Sequence, residues 1–297
     1  MRGARVAMGA SLGAIILGCV ALGQAQDVKV TNSDRLWENF RRENAVVNAG
    51  QFRLELEGIT LQANRSSDGP QVLIRGTPPG EVSQNQILTN LESVSGGQVG
   101  LIGSYGLFTN TEVGIQIQGV FQGLRFFNTN NPGTTVGGQV ENANTFGDMW
   151  LYGKYQYPVN DELGVGGGVE VRLPTGNAGE RTGTGETGTN PFVNVRYLMD
   201  RWAVGAHAGY QFNTGDLDDM FNWSADGVIR VSKLWGIRAE FTGWNYDYGG
   251  DSINNVYCNP GIEYNFSDNI IVRPEGQVGI TKPALGWGIG VGVAYTF

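Results

Sequence analysis

From residue 51 to the carboxyl terminus one pattern repeats: runs of about ten residues whose side chains alternate between apolar and small or polar, each closed by a turn. The last run shows it most plainly. Ile289, Val291, Val293, Tyr295 and Phe297 share one parity, and Gly288, Gly290, Gly292, Ala294 and Thr296 the other. Successive side chains of a strand point to opposite faces, so this stretch has one apolar face and one lined by small groups. The apolar stripe needs an apolar neighbour, and a strand repeated this often must bury it many times over.

Cut at its turns, the chain predicts strands at about 51–63, 97–107, 111–122, 146–158, 162–174, 188–199, 201–212, 221–232, 235–245, 254–266, 270–280 and 287–297. The links sort into two kinds. Phe108-Thr109-Asn110, Val159-Asn160-Asp161, the neighbourhood of Asp200, Lys233-Leu234 and Ser267-Asp268-Asn269 read as tight hairpins. The links between them, 64–96, 123–145, 175–187, 213–220, 246–253 and 281–286, read as longer loops. Short turns on one rim and long loops on the other predict an all-β, transmembrane, antiparallel up-and-down β-barrel of about 12 strands, with both termini on the short-turn, periplasmic side.

A water-soluble barrel or sandwich with its apolar face inward is the competing reading, and it fails on volume. The face opposite the large apolar side chains carries glycines and charges: Glu170 and Arg172 oppose Val165, Val169 and Val171, while His207 and Gln211 oppose Trp202, Val204 and Tyr210. Such a face cannot fill a dry core. Aromatic residues collect near strand ends, among them Tyr157, Tyr197, Trp202, Tyr210, Phe212, Tyr264, Phe266 and Phe297. That is where interfacial girdles belong.

The amino terminus predicts export. Arg2 and Arg5 precede an apolar run from Val6 to Leu22, and Gly23-Gln24-Ala25 supplies small residues for cleavage, giving a signal peptide over 1–25. A lipoprotein signal at Ile16 to Cys19 is the alternative, opposed by the apolar continuation to Leu22. Once the signal is removed, Cys258 is the only thiol, which excludes an intramolecular disulfide and a cysteine metal site. Residues 26–50 form an amino-terminal periplasmic segment. Within it "SDRLWENFRRENAVV" has helical spacing at Leu36, Trp37, Phe40, Ala45 and Val46, which predicts a short helix, either free or folded into the barrel mouth. The barrel occupies 51–297. The first loop, with Pro70, Pro78, Pro79 and the apolar run Val72-Leu73-Ile74, is a candidate constriction.

Composition narrows the function. Charged residues are only 16% of the chain and the net charge is −8, with no Lys/Arg cluster of the kind nucleic acid requires. Catalytic motifs are missing from the sequence: no Gly-x-Ser-x-Gly elbow and no His-Glu-x-x-His. The single histidine, His207, falls mid-strand on the inner face, away from the lipid surface where a lipid hydrolase would act. Asp216, Asp218 and Asp219 read as a solvated turn, without the spacing of a calcium loop. No catalytic residue, cofactor or metal site is expected.

Strand parity also supplies a lumen-facing set: Lys154, Glu170, Arg172, Arg196, His207, Asp226, Arg230, Arg238, Glu240, Glu263, Arg273 and Glu275, with Arg53, Glu55 and Glu57 on the first strand. Basic and acidic members balance at seven each. They permit either an ion-paired scaffold or a polar permeation path. Twelve strands enclose more than the side-chain-filled interior of an eight-stranded barrel and less than a wide porin channel, so the expected cargo is small solutes.

The stretch "GGGVEVRLPTGNAGERTGTGETGTNPFVNVRYLMDRWAVGAHAGYQFNTGD", residues 166–216, resembles the outer-membrane family named after the meta-pathway of phenol degradation, a transporter family. The likeness rests on Leu173-Pro174-Thr175-Gly176, the Gly183-Thr184-Gly185 that follows, the Asp200–Trp202 turn and the strand from Gly209 to Asp216. "GSYGLFTNTEVGIQI" and "EYNFSDNIIV" resemble its early and penultimate hairpins. The resemblance implies a channel of the bacterial outer membrane for uptake or efflux of small organic, aromatic or hydrophobic, compounds. Its partners would be outer-membrane lipid, the solute, and the barrel-assembly machinery, which reads a last strand ending in an aromatic residue, here Phe297. Nucleic acid is not expected. A barrel that does not transport, serving envelope structure, assembly or lipid modification, is the alternative.

Overall fold

The computed structural model describes residues 46–64, 91–126, 140–176, 183–199, 201–214, 219–232, 234–248, 251–267, 269–281 and 286–297. The strands are β1 (Phe52–Asn64), β2 (Leu91–Phe108), β3 (Thr111–Phe126), β4 (Val140–Phe146), β5 (Met149–Pro158), β6 (Leu163–Leu173), β7 (Gly188–Leu198), β8 (Trp202–Asn213), β9 (Met220–Arg230), β10 (Trp235–Tyr248), β11 (Asp251–Asn265), β12 (Ile270–Gly279) and β13 (Trp287–Thr296). Neighbours in sequence pair antiparallel, except that β4 and β5 both pair with β3, and β1 pairs with β13, so the sheet closes on itself. Closure leaves no open edge, the condition for crossing lipid with strands.

Thirteen segments make twelve barrel strands, because β4 and β5 are two halves of one. Both pair with β3: Phe146 stands opposite Gly119, and Trp150 opposite Gln116. Four steps on one side match three on the other, so one extra residue sits between them. This is a β-bulge at Gly147-Asp148, held to β3 by the Gly147 N–H on the Gln118 carbonyl at 2.8 Å.

The seam follows from the alternation that opens the sequence argument. Arg53 pairs with Thr296 and the register runs unbroken to Gln62 and Trp287. The Phe297 N–H donates to the Phe52 carbonyl at 2.8 Å, and the two rings stand 5.6 Å apart. Outward residues such as Leu54, Leu56, Ile289, Val291 and Val293 are exposed, whereas Arg53, Glu55, Gln98, Glu112, Arg238, Asn259 and Arg273 are buried on the inner side. An apolar exterior over a polar, partly charged interior inverts the arrangement of a soluble protein and fits a membrane.

Two expectations need correction. Several strands run further toward the long-loop rim than their alternation predicts: β2 starts at Leu91, β3 ends at Phe126 and β10 ends at Tyr248. The link read as a long loop at 246–253 is accordingly a hairpin, with Tyr248 directly opposite Asp251. Beyond the lipid both faces of a strand are wet, so pairing continues where the apolar alternation stops. The helical segment expected before the barrel lies outside the described residues up to Ala45, as do the signal peptide and the Val72–Ile74 run; over 46–50 the chain is not helical and lies against the inner wall.

Candidate functional site: the lumen and its two anchored ends

Seven of the sequence-derived lumen residues, Lys154, Glu170, His207, Asp226, Arg238, Glu240 and Arg273, converge on one interior cavity of about 260 Å³, with Arg53, Glu55 and Glu57 from β1. Alternate positions of seven strands thus meet in space although they are spread over most of the chain. Glu275 lines a smaller pocket with Arg273 and Glu57, and Glu263 is buried on β11. Arg172 lies instead at the long-loop end, and Arg196 and Arg230 lie half-buried toward the short-turn end.

The cavity wall has two characters. On β1, β10 and β12 it is ionic: Arg273 pairs with Glu55 and approaches Glu57 at 3.8 Å, and Arg238 pairs with Glu240 at 3.3 Å. On β6 to β9 it is made of amides and rings. His207 stacks on Phe192 with centroids 4.8 Å apart, and its Nε2 bonds the Asn222 Oδ1 at 3.2 Å. Asn222 donates to Asn190 at 3.0 Å, and Asn190 donates to the Glu170 carboxylate at 2.8 Å. Each link polarises the next toward that carboxylate. Ser224 is the register partner of His207 and shares the cavity, yet the imidazole is committed to Asn222 and Phe192.

Two residues absent from the sequence-derived set organise the ends. Glu112, on β3 near the short-turn rim, is 0% exposed. It faces Lys154 at 3.3 Å and Arg53 at 3.6 Å, and it accepts the Tyr152 hydroxyl at 3.0 Å. With that proton committed, Ser104 donates to the Tyr152 oxygen at 2.6 Å. The second Glu112 oxygen accepts the backbone N–H of Val47 at 2.6 Å. Residues 47–50 therefore lie against the inside of the barrel, where Ala49 bridges Gly106 and Gly50 donates to the Gly106 carbonyl at 2.8 Å. Only glycine fits at Gly106, since a Cβ there would run into the carbonyls of Val47 and Asn48. Gly114 serves similarly, since a Cβ there would run into the Tyr152 ring and hydroxyl.

Asp148, in the bulge near the long-loop rim, is also 0% exposed. Its carboxylate accepts the Gly176 N–H at 3.0 Å, the Thr184 N–H at 2.9 Å and the Thr184 hydroxyl at 2.6 Å, with the Arg172 Nε at 3.8 Å. Thr175 accepts the Met149 N–H at 2.9 Å. Arg172 in turn donates to Asn213 at 2.9 Å and lies over the Trp150 ring at 5.7 Å. The Leu-Pro-Thr-Gly and Gly-Thr-Gly stretches are thus two ends of one loop, tied down by a single carboxylate.

A closed antiparallel barrel with an apolar exterior and a polar, cavity-bearing interior defines a transmembrane β-barrel of the bacterial outer membrane. The family model described as "Putative MetA-pathway of phenol degradation" matches residues 62–297, and the chain belongs to that family. Among solved structures the chain is similar to the COG4313 outer membrane channel from Pseudomonas putida F1, at 12% identity over 85% of this chain and 97% of that one, with a TM-score of 0.59. It also matches the KdgM porin at 14% identity over 82% and 99% of the two chains, with a TM-score of 0.47. The CymD monoaromatic hydrocarbon channel matches at 11% identity over 84% and 88%, with a TM-score of 0.43. None of the curated proteins matches the chain significantly.

Proposed function

We propose that this barrel is a passive outer-membrane channel for small organic solutes. The observation that carries the reading is the interior cavity of about 260 Å³, polar and bounded by side chains from opposite walls, inside a shell whose outer face is apolar. A structural barrel has no use for such a space. Tyr152, Phe192 and His207 line the cavity among polar side chains, which suits a small aromatic or otherwise apolar solute carrying a polar group. The name of the family, and the word channel in the name of the relative of similar fold, agree with this reading.

The passage works by diffusion through a polar lumen, with no chemical step. His207, the candidate for lipid or ester chemistry, is mid-lumen, stacked on Phe192 and engaged by Asn222, and we read it as a wall residue rather than a base. Phe297, exposed at the end of β13, is the contact we propose for the assembly machinery. The short-turn rim faces the periplasm and the long-loop rim the exterior.

The test is transport by purified protein. In liposomes the barrel should admit solutes up to about the size of a monosaccharide and in planar bilayers it should carry current. If neither ions nor small solutes pass, the channel reading is wrong; lipid hydrolysis lost in His207→Ala would then support the enzyme.

A further inference from the structure

Two prolines, Pro260 near the middle of β11 and Pro274 near the middle of β12, interrupt the same seam of the wall. On their other sides the ladders are whole: Pro260 stands opposite Ala239 on β10, and Pro274 opposite Val291 on β13. Between β11 and β12 the pairing stops after Cys258 with Val278, returns for Gly261 with Glu275, and returns again at Tyr264 with Val272. Residues 259–260 and 262–263 have no register partner on β12. A proline has no N–H, so the ladder bond due from it is never made, and the two gaps fall where the two prolines stand. Each leaves a carbonyl of the facing strand without its donor, in a part of the wall where lipid offers no replacement. On β7 a single proline, Pro191, accompanies a single skip in the ladder to β8, from Thr189 to Phe192. Among the described residues no other seam is interrupted by two prolines.

Side chains do not replace the lost ties. Asn259 on β11 and Gln277 on β12, at the first gap, are both buried, and neither amide makes a hydrogen bond. Gly276 adds no side chain at this point, and a Cβ there would meet nothing closer than the Pro260 ring at 3.8 Å. The seam also lies between two different surroundings. Arg238 and Glu240 on β10 and Arg273 on β12 line the cavity, with β11 between those strands. On the outer face Pro260, Ile262, Pro274 and Val278 are exposed and apolar. The stretch of wall with the fewest backbone ties therefore separates the cavity from the lipid.

We propose that the seam between β11 and β12 is a side exit, through which an apolar solute, such as an aromatic hydrocarbon, leaves the lumen for the hydrocarbon of the outer membrane. This inference rests on the channel reading and gives one class of solute its own route. Ions and polar solutes follow the lumen from rim to rim. A charged wall offers a hydrocarbon little, and moving its apolar surface out of water into lipid drives it through the seam.

The test uses N-phenyl-1-naphthylamine, an apolar aromatic amine that brightens in hydrocarbon, added to intact cells carrying the barrel. It should enter the outer membrane faster with the barrel than without it. In a Cys258→Ala background the oxidised Asn259→Cys/Gln277→Cys pair ties β11 to β12. Entry should then drop to the rate without the barrel and return on reduction, while single-channel conductance of the purified protein keeps its wild-type value. Pro260→Thr/Pro274→Thr restores both N–H groups without a cross-link; it should slow entry, leave conductance unchanged and raise the urea midpoint of unfolding. An oxidised Val165→Cys/Val195→Cys pair, at register partners on the outer face of β6 and β7, should leave entry at the wild-type rate. Gel mobility with and without heating selects folded barrels, and the proline replacements decide the matter where the cross-link does not form. The side exit is overturned, and the channel left standing, by a conducting wild type that does not speed entry. The same holds if entry ignores the cross-link or the restored N–H groups, if the β6 to β7 cross-link slows it equally, or if conductance is lost together with entry on oxidation. Absence of both current and entry overturns the channel reading and the inference with it.

Discussion

Glu112 and Asp148 are the same device placed at opposite ends of one barrel. Each is a fully buried carboxylate that accepts backbone N–H from chain that is not part of the barrel strands, one such bond at Glu112 and two at Asp148. Glu112 holds the segment entering β1, and Asp148 holds the loop between β6 and β7. Their surroundings differ. Glu112 is gripped by two full cations and a phenol, whereas Asp148 relies on two N–H groups and a hydroxyl, with one guanidinium at the outer limit of pairing. A carboxylate among cations is part of the wall's electrostatics. One among neutral donors is a tie for a loop.

The difference predicts unequal consequences, largest first. Glu112→Gln leaves Arg53 and Lys154 buried without their counter-charge and should cost about 3–5 kcal/mol in urea unfolding from lipid vesicles. Adding Lys154→Met should restore part of that loss, and an unchanged double variant would show that the cations are satisfied elsewhere. Asp148→Asn keeps the shape but loses the charged acceptor. It should cost about 1–3 kcal/mol, with faster hydrogen exchange at the amides of Gly176 and Thr184 and none of this at Val47. Exchange rising equally at both ends would dissolve the distinction between them. Tyr152→Phe removes one neutral donor from the Glu112 cluster and should cost about 1 kcal/mol by the same unfolding measurement.

The sequence carried the wall well and its fastenings poorly. Alternation is enforced by lipid on one side, so the faces of β5 to β13 could be read residue by residue, and the closing of β13 on β1 followed from the need to leave no edge. Outside the lipid the pattern had nothing to enforce it. "LESVSGG" before Gln98 and "VENANTF" before the bulge are strands by pairing, without apolar alternation. Glu112 does face inward by the parity of Val113, Ile115 and Ile117, but its importance comes from Val47, 65 residues away in sequence. Asp148 was hidden by the bulge, since an extra residue resets the parity at that point. A polar pair such as Gly-Asp interrupting an otherwise alternating strand is the signal that could have marked it.

The two rims also test the sidedness. An impermeant thiol reagent added outside intact cells should label a cysteine introduced at Glu186, in the long-loop rim, and spare one at Asp161, in a tight turn. Labelling of both, or of Asp161 alone, would reverse or dissolve the assignment.

The central claim is that solutes pass through the interior, and one measurement addresses it most directly. In a Cys258→Ala background, which removes the one free thiol among the described residues, Asn194→Cys on the cavity wall is compared with Val193→Cys, its outward neighbour on β7. Single-channel conductance is recorded before and after a charged, water-soluble thiol reagent. The account predicts that conductance falls on modification at position 194 and stays constant at position 193. Current unaffected at 194, or reduced at 193 instead, would contradict passage through the lumen.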